Sequence, residues 1–331
     1  MDNSKQARLL ELFFRGLRGE ALSVKEMAAE YGVSTKSVSR DLNDLKAFFA
    51  DHRELVGNAE LEYSYQTRAY HLRLEEFLSS QELYAITEVL LGARAFSKME
   101  VLNLMEKLKK LTVPADRKRI DALLRKELYH YHEVHHDCDS VQQTLWQLVS
   151  CIEGRKEITL SYHKMSREFV ERRVRPVSIL FSEYYFYLIA YPADAHRNVP
   201  HYYRVDRISK IVEHRGHFDL PAGADFDEGL FRAQNQFMFP GRLQTIRFLF
   251  YGPSVQAVLD RLPTAKVIGK QEGGYLIEAT VYGDGIKMYL LSQGAWVKVL
   301  SPQPFVEEMR RELQALGRHY GLETQSENKS F

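Results

Sequence analysis

Two cysteines in 331 residues, Cys138 and Cys151, are too few for a disulfide framework, and neither stands in a C-x-x-C or other metal-ligand spacing. Both read as free thiols. No run of about 18 apolar residues exists to span a bilayer. Asp2, Lys5 and Arg8 break the start, and no apolar signal region follows them. A cytoplasmic protein is expected. There is no P-loop, no dinucleotide glycine fingerprint, no G-x-S-x-G and no H-E-x-x-H. No enzyme activity, cofactor or metal is therefore expected. Charge of one sign is scarce too, since the net is +1. Residues 1 to 74 hold 11 Lys and Arg against 11 Asp and Glu, whereas residues 155 to 215 hold 12 against 7. A polyanion partner of the first segment must be met by sidedness rather than bulk charge.

What is present is a globular composition, 45% hydrophobic and 27% charged, long enough for two or three domains. The stretch Ser23 to Phe49 is the most informative. Ser23 with Glu26 has the spacing of a capping box, and Gly32 supplies a left-handed stop, so a helix is predicted between them. Ser34 then caps a second helix, in which Val38, Leu42, Leu45 and Phe49 form one buried stripe. Lys36, Arg40 and Asn43 fall on the opposite face, flanked by Thr35, Ser37 and Ser39. These donors suit purine edges and phosphates in a major groove. The bland alternative is a helical hairpin with a solvated polar face. The short glycine turn, the two caps and the cationic outer face together favour a DNA-reading helix-turn-helix.

Upstream, Leu9, Leu10, Phe13, Phe14 and Leu17 predict a first helix ending near Gly16. Downstream, Leu61, Tyr63, Tyr65 and Tyr70, Leu72, Leu74 alternate at period two, a hairpin turning at Gln66 to Ala69. This is a wing with Arg68 at its tip, facing a phosphate or merely solvent. From Ser79, capped with Glu82, helices carry Leu83, Ile86, Leu90 and then Val101, Leu104, Met105, Leu108 until Pro114 breaks the run. Further helices carry Ile120, Leu123, Leu124, Leu128 and Val141, Leu145, Leu148, Ile152 up to Gly154. Between these last two lies YHYHEVHHDCD, residues 129 to 139. Its potential ligands crowd one junction instead of forming two separated pairs, so a solvated hinge is expected in preference to a metal site or a pH-sensitive interface.

From Glu157 short strands EITLSY, ERRVRPVSIL, YYFYLIAY and HYYRVD predict a small β-barrel. Arg172, Arg173, Arg175, Arg204 and Arg207 lie on or beside these strands among tyrosines, a pairing that suits phosphate and base recognition. A phosphate-bearing ligand is expected on Arg172, Arg204 and Arg207, with Tyr162 or Tyr187 as a stacking ring. Asp206 could instead tie one of these arginines into a structural ion pair. From Thr245 the order strand, helix, strand, strand, helix, strand, turning at Gly252-Pro253 and Gly273-Gly274, is that of a ferredoxin-like domain. A helix over Phe305 to Tyr320 follows, and Thr324 to Phe331 reads as a disordered tail.

Four segments in this order resemble the WYL-domain transcriptional regulators of bacteria. The signature tripeptide falls at Phe186-Tyr187-Leu188, with phenylalanine in place of tryptophan, preceded by Tyr162 and Arg172-Arg173-Val174-Arg175-Pro176. Tyr203-Arg204-Val205-Asp206-Arg207-Ile208 resembles the family's aromatic-Arg-x-Asp-Arg-Ile segment, and VSTKSVSRDLNDL resembles its recognition helix. The wing lacks the glycine before tyrosine that the family often has. The resemblance implies an α+β multidomain chain: a winged helix-turn-helix (residues 1–75), a helical linker (76–139), an Sm-like β-barrel with flanking helices (140–240), a ferredoxin-like C-terminal extension (241–320) and the tail (321–331). It also implies a barrel that senses a ligand, often single-stranded nucleic acid or a nucleotide, and switches promoter binding by the first domain. The expected protein is a homodimeric regulator of double-stranded operator DNA, since paired recognition helices read two half-sites. A protein-interaction adaptor and a nucleic-acid-processing enzyme are the alternatives.

Overall fold

Ser4, Ser23 and Ser34 each stand one residue before a helix and accept a backbone N–H from its first turn, fixing three helix starts. The helices are α1 (Lys5–Leu17), α2 (Val24–Tyr31) and α3 (Thr35–Asp51) in a computed structural model that describes residues 4–56, 59–73, 78–112, 114–194, 199–219 and 227–322. Of the capping box expected at Ser23, only the forward half forms, from Glu26 N–H to Ser23 Oγ at 3.5 Å. Gly32 ends α2 at φ +64°, a conformation that costs a side chain with a Cβ. The chain divides into two compact units, residues 1–134 and 135–331.

In the first unit the apolar stripes of the three helices meet. Leu12, Val38, Leu42 and Phe49 are all but fully buried in one cluster with Leu22, Met27 and Leu61. Each such side chain contributes about 1.5–3 kcal/mol. A short helix α4 (Arg53–Val56) leads to the hairpin β1 (Glu60–Ser64) and β2 (Ala69–Arg73). Tyr65 falls in the turn, one residue earlier than alternation predicts, and Leu74 lies outside the described residues. Leu22 exchanges two backbone hydrogen bonds with Tyr70, at 2.8 and 3.0 Å, and so gives the hairpin a third extended partner. One isolated leucine before a helix carries no period, which is why the sequence does not announce it.

Three more helices complete this unit: α5 (Ser80–Ala93), α6 (Lys98–Lys110) and α7 (Pro114–Tyr129). Ser79 and Glu82 form the full reciprocal capping box, and a second one, Ser97 with Glu100, starts α6. The run therefore breaks at Arg94, which is left-handed at φ 52°. The break expected at Pro114 is there as well: α6 ends at Lys110, and Pro114 is the first residue of α7, where its missing N–H costs no hydrogen bond. Leu91, Val101, Met105, Ile120, Leu124 and Tyr131 form the core of these helices.

The second unit begins with the segment from His135 and the Ser140-capped helix α8 (Val141–Glu153). Strands β3 (Ile158–His163), β4 (Phe169–Ser182), β5 (Tyr185–Pro192), β6 (His201–Arg204) and β7 (Ile208–Glu213) form one antiparallel sheet in the order β6-β5-β4-β3-β7. A single 3₁₀ turn, Val205–Arg207, joins the two end strands, so HYYRVD is a strand only as far as Arg204. No ladder joins β6 to β7 among the described residues. Leu148, Ile158, Leu160, Val174, Leu188 and Val205 cluster on one face of the sheet, with Phe186 packed against them. On the other side Leu180 and Ile189 meet Phe231 of α9 (Glu228–Gln234), Met238 and Tyr282.

The remaining elements are β8 (Leu243–Phe250), α10 (Val255–Arg261), β9 (Lys266–Gln271), β10 (Gly274–Tyr282), α11 (Gly285–Ser292), β11 (Val297–Ser301) and α12 (Gln303–His319). Their sheet runs β11-β8-β10-β9, the connectivity of a split βαβ unit. Residues 235–241 press against the start of α11 so closely that a Cβ on Gly285 would lie 1.7 Å from the Gln236 carbonyl oxygen. The expected tail from Thr324 lies outside the described residues.

Candidate functional site

Two places gather the residues singled out by sequence. On α3, Lys36, Arg40 and Asn43 recur at i, i+4 and i+7, within about 60° of arc, and all three are exposed. Thr35 is exposed beside them at the first turn, while Ser37 and Ser39 are half-buried. The Ser37 hydroxyl lies 2.9 Å from that of Ser34, so it serves the cap before any ligand. Two acids of this helix, Asp41 on its buried side and Asp44 on its exposed flank, are held by cations of α1. Asp41, 2% exposed, accepts from Arg8 of α1 at 2.9 Å, and Asp44 pairs with Lys5 at 2.7 Å. The zero net charge of this segment therefore does not describe its outer face, where Lys36 and Arg40 have no acid within 4 Å among the described residues. Arg68 stands exposed in the wing turn at φ 52°. Sequence reasoning missed Lys46, whose Nζ sits 4.6 Å from the Tyr70 ring and ties α3 to β2, and Tyr65, 88% exposed at the wing.

The second place is a cavity of about 120 Å³ beside the 3₁₀ turn, lined by His135, Asp137, Lys164, Met165, Arg167, Tyr185, Arg204, Asp206 and Arg207. Arg204 is held along one edge and over one face. Its Nε and Nη2 donate to the two Asp206 oxygens at 3.1 and 2.6 Å, and its guanidinium carbon lies 3.3 Å from the Tyr185 ring centroid. Burial works against the Arg204 charge, and the Asp206 pair overrides it, holding the pKa above its ordinary value. Arg207 is half-buried and has no acid within 4 Å among the described residues. Across the cavity Asp137 accepts from Arg167 at 3.4 Å and meets His135 Nε2 at 3.0 Å, and its N–H donates to the Asp206 carbonyl at 2.7 Å.

The five expected ligand residues do not converge. Arg204 and Arg207 line the cavity, and Tyr187 stands opposite Arg204 in the β5–β6 ladder. Burial pushes the Tyr187 hydroxyl up to about 12, against the pull of Arg204. Tyr162 is a core residue: its ring packs edge-on at 5.4 Å against Tyr203, and its hydroxyl accepts the Arg204 N–H at 3.4 Å. Arg172 pairs across strands with Leu160 and Arg204 with Tyr187, so the two arginines lie on opposite faces of the sheet. Arg173 and Arg175 share Glu157. Lys164, Arg167, Tyr185 and Asp137 enter from a turn, a strand end and the segment before α8, positions at which spacing says nothing about shared neighbours. Among the described residues no group of three or more His, Cys, Asp or Glu side chains is placed to hold a metal. None of their helices is long and apolar enough to cross a membrane.

Two family models match this chain, the WYL domain over residues 143–213 and the WCX domain over residues 242–317. Among solved structures, proteasome accessory factor B/C (PafBC) of Arthrobacter aurescens is 17% identical with a TM-score of 0.32, the match covering 96% of this chain and 48% of that one. A CRISPR Cas-related protein is 16% identical with a TM-score of 0.38, over 66% of this chain and 62% of that one. The chain thus spans about half the length of the first and less than two thirds of the second. Likenesses this distant carry no argument about function, and no curated protein matches. The chain thus carries a WYL domain over residues 143–213, followed by a WCX domain over residues 242–317.

Proposed function

We propose that the chain is a transcriptional regulator that reads double-stranded operator DNA with α3 and the wing, and senses a phosphate-bearing effector, a single strand or a nucleotide, in its WYL domain. The observation that carries the first half is the sidedness of α3. Its mid-helix acids are bound by Lys5 and Arg8, leaving Lys36, Arg40 and Asn43 as unopposed donors for a groove. Support for the second half comes from the cationic cavity beside Arg204 and Arg207. In this reading the protein acts in the cytoplasm as a homodimer, so that two α3 helices meet two half-sites, and it performs no catalysis and needs no cofactor.

Selection from a random duplex library with the full chain tests it. The expected product is a pair of related half-sites separated by about one helical turn or a multiple of it. Recovery of unenriched sequence would end this reading. One observation favours the adaptor alternative: an apolar groove of about 550 Å³ formed by Leu9, Leu10, Phe13, Phe48 and Leu55 on the first unit, a surface that a protein partner would cover. Enrichment of duplex with paired sites decides against it.

A further inference from the structure

Four cations, Lys164, Arg167, Arg204 and Arg207, line the cavity, and they differ in how firmly the chain already holds them. Arg204 is bidentate to Asp206, with the two side chains 17% and 5% exposed, and its open face rests on Tyr185. An incoming oxyanion would have to displace a nearly dry, two-point ion pair. Arg167, 67% exposed, meets the 14% exposed Asp137 through a single 3.4 Å contact, and Lys164, 40% exposed, meets the open Glu168 at 2.9 Å. Exposed pairs of this kind yield readily. Arg207 has no acid within 4 Å among the described residues. The cavity, at about 120 Å³, is also well below the size that encloses a whole drug-sized ligand.

From this we infer that the anion contacts of the effector site are Arg207 together with Lys164 and Arg167 of the β3–β4 turn, and that Arg204 is a positioning residue whose ligand is Asp206. The inference rests on the effector reading above and specifies its binding residues. The cavity takes one phosphoryl group, and the rest of the ligand lies outside. The β3–β4 turn, carried at its last residue by a left-handed Arg167 at φ 64°, sets which phosphate fits.

The test uses the full chain and two probes, adenosine monophosphate and fluorescein-labelled oligothymidylate, the latter with Arg40→Ala as background so that α3 does not compete. Arg207→Gln and Arg167→Gln should each weaken binding about tenfold or more, as loss of a charged hydrogen bond does. Lys164→Gln should lower the salt slope for the oligonucleotide by about 0.7. Melting temperatures of these three should match the parent, whereas Arg204→Gln should melt earlier without any ligand. Binding of only one probe tells strand phosphate from nucleotide phosphate. If a probe binds the parent but ignores Lys164→Gln and Arg167→Gln, or if Arg204→Gln abolishes binding with its melting unchanged, the assignment is overturned while the effector reading stands. Failure of both probes to bind the parent removes both.

Discussion

Replacing Arg40 by alanine isolates the reading of DNA from the making of the fold. The side chain is exposed, has no acid within 4 Å among the described residues, and lies opposite the buried Val38, Leu42 and Leu45. Its loss should therefore change stability by less than about 0.5 kcal/mol. A bidentate contact to a base edge is worth about 1–3 kcal/mol of discrimination, which is about 5- to 150-fold in the ratio of operator to random-duplex affinity. Affinities for both duplexes measured over a series of salt concentrations give that ratio and the slope together. A base contact lowers the ratio and leaves the slope. A phosphate contact weakens both duplexes alike and reduces the slope by about 0.9. An unchanged ratio with matching far-ultraviolet circular dichroism would refute the assignment of α3 as reader.

Three further outcomes follow from packing and charge. Arg8→Met strands the Asp41 carboxylate inside the first unit and should cost about 1–3 kcal/mol in urea unfolding, and an unchanged midpoint would mean that the pair holds nothing. Gly285→Ala drives a Cβ into the Gln236 carbonyl and should destabilise the second unit by about 3 kcal/mol or more, while Gly269→Ala, with nothing within 4 Å, should be silent; equal stabilities would deny the close approach of residues 235–241. Burial pushes Tyr187 and Tyr203 up to about 12 and raises Tyr202 as well. Folded pKa values above the unfolded value near 10 favour the neutral hydroxyls in the fold, so their contribution is whole below about pH 10 and is lost as pH rises through about 12. Phenolate absorbance should show a late group of tyrosines that appears only as circular dichroism is lost.

Elements with their own local signals were legible. Serine caps, the Gly32 stop and the 3.6-residue stripe mark α2 and α3, and the strand, helix, strand, strand, helix, strand pattern from β8 to β11 marks the element order of the last domain. What could not be read depends on neighbours distant in the chain. The Leu22 bridge needs Tyr70, 48 positions on, to exist at all. The division of Arg172 from Arg204 follows from cross-strand register, Leu160 opposite one and Tyr187 opposite the other, and a slip of one residue would have reversed it. Pro114 marks the break between α6 and α7, but that it opens the second helix is decided by the chain around it, since proline both ends helices and begins them.

Acid partners, not totals, decide where this chain can meet an anion. Counted along residues 155 to 215, cations exceed acids by 5 and the arginines look interchangeable. In the fold Glu157 takes Arg173 and Arg175, and Asp206 takes Arg204, which leaves Arg207 at the cavity and Arg172 on the face of the sheet that carries Leu160. Counted along the first 74 residues the excess is nil. Yet Arg8 and Lys5 bind Asp41 and Asp44 of α3, and Arg15 binds Glu11 and Glu30, so Lys36 and Arg40 on the outer face of α3 keep their charge without an acid partner among the described residues. The same device works in opposite directions: pairing quenches an arginine-rich strand system to a few usable charges, and it uncovers a cationic face on a domain with no net charge. A substitution that removes one of these internal acids, Asp206 or Glu157, should therefore strengthen non-specific polyanion binding by the second unit, because it frees a guanidinium without adding a cation.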